Sequence, residues 1–141
     1  MTKEKITYID RLEAIKQIAI EAHKGQKRWN GEDYINHPIR VADRFEREPL
    51  KIIAWLHDVL EDTKLTKADL VSQGIPKELC ETIDLLTRKK DQSYLDYILR
   101  IKDDAFAKVV KIVDLKDNLW DIKDGSLKDK YLLALYILRQ E

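Results

Sequence analysis

Apolar residues recur along the chain at helical spacing, and the stripes they form predict a succession of helices. From Tyr8 to Lys24, Leu12, Ile15, Ala19 and Ala22 share one face, and Gly25 ends the element. Pro38 suits the first position of a second helix, which runs to about Arg47 on Ile39, Val41, Ala42 and Phe45. That placement puts His37 at the cap, outside helical geometry. Pro49 opens a third helix ending near Asp62-Thr63, and Thr66 caps a short one through Val71, closed by Gly74. Pro76 starts another on Leu79, Ile83 and Leu86, and Ser93 caps one carrying Leu95, Ile98, Leu99 and Ile101. Ser126 caps the last, with Leu127, Tyr131, Leu135 and Leu138 on one face. Leu132, Leu133, Tyr136 and Ile137 widen its apolar surface, so it is either wedged into the core or half of a homodimer contact. The pattern predicts a single all-α domain over residues 1–141, with seven or eight helices.

Two segments depart from the one-sided pattern. Ile52 to Leu60 is apolar on every face, which marks a helix buried all round, yet His57 and Asp58 lie inside it. An unpartnered ionised carboxylate out of water costs several kcal/mol, so a buried Asp58 is neutral, ion-paired or metal-bound. Glu61 and Asp62 follow at i+3 and i+4 from Asp58. In the second segment, Ala105 to Lys123, Phe106, Val109, Val110, Ile112, Val113 and Leu115 cover most of the circumference. Asp114 interrupts it, and Asp117, Asn118 and Asp121 continue along the same side. A solvated face accounts for Asp117 and Asp121. It does not account for Asp114, flanked by Val113 and Leu115.

Between the first two helices, Asn30-Gly31 signals a turn, so residues 25–36 read as a loop or a tiny hairpin. Lys24, Lys27 and Arg28 form a basic cluster leading into it, either a solvated run or a phosphate grip. His23, near the end of the first helix, reads as a capping or packing residue.

Composition narrows the field. Lys plus Arg and Asp plus Glu both number 26, so no global basic surface for nucleic acid is indicated. Four glycines and three prolines are few for the many turns of an all-β fold. Cys80 stands alone, which excludes an intramolecular disulfide and a cysteine zinc cluster, and it reads as a buried small residue. Met1–Lys5 leads into mixed residues rather than a secretory apolar segment, and Tyr131–Leu138 is too short to span a bilayer. The expectation is a cytoplasmic protein that does not engage membranes.

His37 at a helix start, His57-Asp58 in one central helix and Asp114 in another make a mixed nitrogen and oxygen donor set. Such a set suits a divalent cation such as Mn²⁺, Fe²⁺, Co²⁺ or Zn²⁺. Adjacent helical residues diverge by about 100°, so His57 and Asp58 share an ion only if it lies over the groove between them. A plain helical domain with buried ion pairs, His57 with Asp114 for instance, is the competing interpretation.

The order His, His-Asp, Asp resembles the signature of the HD-domain metal-dependent phosphohydrolases. The similarity is greatest to the hydrolase domains of RelA/SpoT-type alarmone enzymes and small alarmone hydrolases. It is carried by residues 22–28, 34–42, 56–63 and 111–114 with Asn118. The resemblance implies an all-helical HD fold, with His37, His57, Asp58 and Asp114 as ligands of a divalent ion, usually Mn²⁺. It implies catalytic roles for Glu61 and Asp62, and packing of the Arg28 guanidinium on a guanine base. Asn118 falls on the nucleotide side of the cleft, and Lys24 belongs with Arg28 as a substrate-binding candidate. The implied reaction removes the 3′-pyrophosphate from guanosine tetra- or pentaphosphate through a metal-activated water. Trp29 after Arg28, and Leu115-Lys116 after Asp114, depart from the alarmone pattern and favour another nucleotide or nucleotide cofactor. A module that binds a nucleotide without cleaving it is a further alternative, against which the Glu61-Asp62 pair argues.

Overall fold

Helices account for every regular element among the described residues of this computed structural model, which are residues 8–141; the reading of Met1–Lys5 lies outside them. The order is α1 (Tyr8–Ala22), α2 (Asn36–Asp43), α3 (Glu48–Leu56), α4 (Val59–Asp62), α5 (Lys67–Ser72), α6 (Lys77–Leu85), α7 (Tyr94–Lys102), α8 (Ala105–Leu119) and α9 (Ser126–Arg139). The nine segments become eight when α3 and α4 are counted as the single helix that the hydrophobic pattern suggested. The fold class is all-α, as expected.

α3 is the axis of the domain. Pro49 at its start fits the first turn, where an amide would have no helical partner. Ile52, Ile53 and Leu56 are fully buried, as the apolar circumference required. Burying each contributes roughly 1.5–3 kcal/mol against the entropy of ordering. α1, α2, α6 and α8 all pack on α3.

α8 is less central than its apolar pattern suggested. Ala107, Val110, Asp114 and Leu115 are buried, whereas Phe106, Val109, Ile112 and Val113 are only partly covered. α9 lies across α7 and α8 on Ala134, Leu135 and Leu138. Leu127, Leu132, Leu133 and Tyr136 on its outer side are exposed.

Helix starts divide into two kinds. Thr66 Oγ1 accepts from the Asp69 amide while the Asp69 carboxylate accepts from the Thr66 amide, a complete capping box. Ser93 caps α7 through the Asp96 amide, as expected, and Asp104 caps α8 through the Ala107 amide. Ser126 does not cap α9; it is the first helical residue, with Gly125 before it. His37 likewise lies inside α2 rather than at its cap, because the helix already begins at Asn36 with Ile35 in the capping position. The amides of Asn36 and His37 reach back to the carbonyls of Asp33 and Tyr34, which winds the chain into the helix before Pro38. α2 also ends at Asp43, one turn short of Arg47.

Candidate metal centre

The single helix expected from Pro49 to Asp62 is interrupted. α3 stops at Leu56, His57 and Asp58 form a turn, and α4 resumes at Val59. The His57 ring shows why. Its Nδ1–H donates to the Ala54 carbonyl at 2.6 Å, the acceptor a continued helix would offer to the Asp58 amide. Asp58 then takes φ −107° and ψ 0°. The break removes the divergence of neighbouring helical side chains: His57 Nε2 and Asp58 Oδ2 face each other at 3.0 Å.

His37 from α2 and Asp114 from α8 complete the group. One donor atom from each of His37, His57, Asp58 and Asp114 lies within 4.8 Å of all the others. Asp114 Oδ1 is 2.7 Å from His37 Nε2 and 3.1 Å from His57 Nε2, and the two Nε2 atoms are 3.3 Å apart. Asp58 Oδ2 is 3.7 Å from His37 Nε2. Donor atoms about 2.1 Å from a common ion and at right angles to one another lie about 3 Å apart, which these separations match.

The tautomers sharpen the fit. His57 Nδ1 is committed to Ala54, and His37 Nδ1 lies 2.6 Å from Asp117 Oδ2. Each ring therefore keeps its Nδ1 proton on the outside and aims an Nε2 lone pair inward. Two lone pairs and two carboxylate oxygens at this range repel unless positive charge lies among them. A divalent cation supplies that charge, and the His/Asp cluster is a set that could hold one. Protons are the other source. Burial opposes charge on both imidazoles, but Asp114 with Asp117 at His37, and Asp58 with Asp114 at His57, more than offset it and raise both pKa values. The His57 ring holds Asp58 well below the usual carboxylate range despite its burial, and the Lys111 charge, followed by the two imidazoles, does the same for Asp114.

Surrounding groups fix the carboxylates. The Tyr34 hydroxyl donates to Asp58 Oδ2, and its own proton is held far above the usual phenol range by burial and by the Asp58 charge. Lys111 Nζ donates to Asp114 Oδ2 at 2.9 Å, and Asn118 Nδ2 donates to Oδ1 at 3.3 Å. Lys111 stands at i−3 from Asp114, so its shared face was readable in the sequence. Tyr34 sits in a loop, where spacing carries no such signal.

The remaining sequence candidates fall at different places. Glu61 and Asp62 on α4 are exposed, one turn beyond Asp58. Desolvation by the protein around their carboxyls, followed by the Asp58 charge, pushes both pKa values up. Lys24 is exposed. Arg28 is buried: its side chain is 1% exposed. Nη1 donates to Glu32 at 3.0 Å and to Asp117 at 3.2 Å, and Nη2 donates to Asn118 Oδ1 at 3.1 Å. The guanidinium turns inward because the loop folds as a tiny hairpin, with the Arg28 amide on the Glu32 carbonyl at 2.9 Å. Gly31, at φ +89°, supplies the left-handed turn residue. Exposed Trp29 lies against the guanidinium, 4.4 Å from ring centre to Cζ. Asn118 is likewise occupied at both ends of its amide, by Arg28 and Asp114. His23 packs on the Tyr34 ring with Nδ1 2.8 Å from Gln26 Oε1, as a packing residue would.

Relatives of known description are similar to this sequence. The chain is 32% identical over 126 residues to the guanosine-3′,5′-bis(diphosphate) 3′-pyrophosphohydrolase of Vibrio cholerae, covering 77% of this chain and 18% of that protein. It is 31% identical over 136 residues to the bifunctional (p)ppGpp synthase/hydrolase SpoT of Escherichia coli, covering 85% of this chain and 19% of that one. To the GTP pyrophosphokinase rsh of Brucella melitensis it is 30% identical over 117 residues, with 72% and 15% covered. The chain thus spans less than a fifth of the length of these relatives. No protein-family model matches it. Among solved structures, one described as a metazoan ortholog of SpoT that hydrolyzes ppGpp has a similar fold. The TM-score is 0.73 at 22% identity, over 98% of this chain and 86% of that one.

Proposed function

From the premise that the chain belongs to the HD-domain RelA/SpoT hydrolase-like family, we propose that it is a metal-dependent nucleotide pyrophosphohydrolase acting on guanosine tetra- or pentaphosphate. The observation that carries this reading is the pair of imidazoles held with Nε2 inward beside two carboxylates. His37, His57, Asp58 and Asp114 hold the ion, Mn²⁺ in this proposal. When bound, such an ion polarises a phosphoryl oxygen and lowers the pKa of a water molecule toward neutrality.

The chain's own groups do the rest. Lys111 engages Asp114 Oδ2, the oxygen turned away from the imidazoles, while Tyr34 donates to Asp58 Oδ2, the oxygen that faces them, and so holds that carboxylate in place. Glu61 and Asp62 lie on the solvent side of the centre, where water enters. Their raised pKa values favour accepting a proton from the attacking water, because a base works best when its pKa approaches the working pH. Lys24, exposed beside the hairpin, supplies charge for the phosphates of a nucleotide. Arg28 and Asn118 act as supports of the ligand cluster rather than as groups that touch a base.

Pyrophosphate release from guanosine tetraphosphate with Mn²⁺ tests the proposal, with the Asp58→Ala protein as blank. Release by the parent protein alone is expected; absence of release with every divalent ion refutes hydrolysis. A second reading keeps the chemistry and changes the nucleotide. It is favoured by the inward-facing Arg28 and the exposed Trp29 beside it. Turnover of a different nucleotide, with none of guanosine tetraphosphate, would establish it.

A further inference from the structure

Asp117 sits one turn beyond Asp114 on α8, on the stripe that looked like a solvated face. The structure gives it a different setting. Its side chain is 13% exposed, and it makes four polar contacts, two with the buried His37 and Arg28 and two with the more exposed Arg40. Oδ2 lies 2.6 Å from His37 Nδ1 and accepts from Arg28 Nη1 at 3.2 Å. Arg40 embraces the same carboxylate side-on, with Nε to Oδ1 at 2.7 Å and Nη2 to Oδ2 at 3.0 Å. Glu32 closes the circuit by accepting from both arginines, at 3.0 Å from Arg28 and 2.8 Å from Arg40.

We propose that Asp117 is a positioning residue of the metal centre, clamped by Arg28 and Arg40 so that it fixes the ring orientation and the Nδ1–H tautomer of His37. The inference rests on the reading of His37, His57, Asp58 and Asp114 as a metal centre. Its logic is geometric. An acceptor on the other nitrogen fixes which nitrogen an imidazole presents and in which direction, and a carboxylate there also raises the basicity of the ligating atom. A lone carboxylate could rotate away from the ring. With both oxygens engaged by two guanidiniums, which stay charged at all working pH values, Asp117 has one orientation left. His57 achieves the same end with a backbone carbonyl, so the two rings are oriented by different means: one by the helix break, the other by this ion cluster.

The proposal predicts how the ion alone binds, without reference to turnover. Protein stripped of metal is titrated with Mn²⁺ by calorimetry, as wild type, Asp117→Asn and Asp121→Asn. Asp121 carries the same charge one turn further along and bonds Asn30, not His37. Wild type takes up one ion per chain, Asp117→Asn binds about 10–100-fold more weakly, and Asp121→Asn binds as wild type. Equal loss in both variants assigns the effect to net charge and overturns the proposal. A lower melting temperature of metal-free Asp117→Asn, with Mn²⁺ affinity unmoved, makes the residue merely structural and also overturns it.

A second measurement needs no variant. In the Zn²⁺-loaded, ¹⁵N-labelled wild type, the His37 ring carries its single proton on Nδ1, shifted to low field by the carboxylate. A ring protonated on neither nitrogen, or exchanging freely, refutes the proposal even if Asp117→Asn fails to fold. Wild type that binds neither Mn²⁺ nor Zn²⁺ defeats the metal centre itself; wild-type binding with unaltered Asp117→Asn affinity defeats only the role of Asp117.

Discussion

Replacing Arg28 by Met separates the two roles that the sequence and the structure give this residue. A guanidinium open to a nucleotide would be lost at the expense of substrate affinity alone. In the structure it is an interior cation whose side chain is 1% exposed and which donates to Glu32, Asp117 and Asn118. Removing one partner of a buried ion pair costs about 3–5 kcal/mol, because the remaining charge is stranded. Here Glu32 and Asp117 retain Arg40, and Glu32 is 26% exposed, so the low end applies, about 3 kcal/mol. Trp29 also loses the cation beneath its ring, worth about 0.5–1 kcal/mol at an exposed site.

For a domain of 141 residues, 1 kcal/mol moves the melting midpoint by about 4 °C, so the combined loss lowers the midpoint of Arg28→Met by about 14–16 °C. Thermal and urea denaturation followed by circular dichroism on metal-free protein measure this directly. Arg28→Lys keeps the charge but not the fork, and falls between the two. An unchanged midpoint, combined with a raised KM for the nucleotide, would show that the guanidinium works on the substrate and would refute the interior assignment.

Mn²⁺ at 100 times its Kd stabilises the fold by about 2.7 kcal/mol, and the corresponding upward shift in melting temperature disappears in Asp114→Asn. Glu61→Gln abolishes turnover yet raises stability at neutral pH. The reason is that the folded-state pKa of Glu61 is raised, so its ionised form disfavours folding above the unfolded pKa; denaturation midpoints at neutral and acidic pH check that the gain vanishes as pH falls. Cys80 is fully buried and its thiol pKa is pushed up by desolvation, so it reacts with a thiol reagent in the native protein only at the rate of opening, and fully in urea. Thr66→Ala removes the cap of α5 and lowers unfolding free energy by about 1 kcal/mol, read from the urea midpoint.

What could be read from the sequence divides along a physical line. Features decided within a few residues were legible: the caps at Thr66 and Ser93, the stop at Gly74, and the burial of Ile52, Ile53 and Leu56. Asp114 also announced itself, since Val113 and Leu115 on either side leave a carboxylate no route to water. The setting of Asp117 did not. Periodicity says which helix face a residue shares, but not what another element brings against it, and His37 is 80 positions earlier. The burial of Arg28 was hidden for the same reason: a basic run looks solvated until Glu32 and Asp117 close around it.

The interruption after Leu56 ties these points together. The apolar residues next to the break, Leu56 and Val59, are fully buried, so the break serves something other than the core. A continuous helix would have sent His57 and Asp58 about 100° apart around the axis and kept them from a common ion. Trading one helical hydrogen bond for the His57–Ala54 contact costs little, since the carbonyl remains satisfied. In return, two consecutive residues converge at the meeting point of α2, α3 and α8, where His37 and Asp114 arrive from either side. Charge at that point explains why two polar residues interrupt the most apolar helix of the chain. The exposed carboxylates of α4 follow immediately, one turn from the buried cluster and open to solvent.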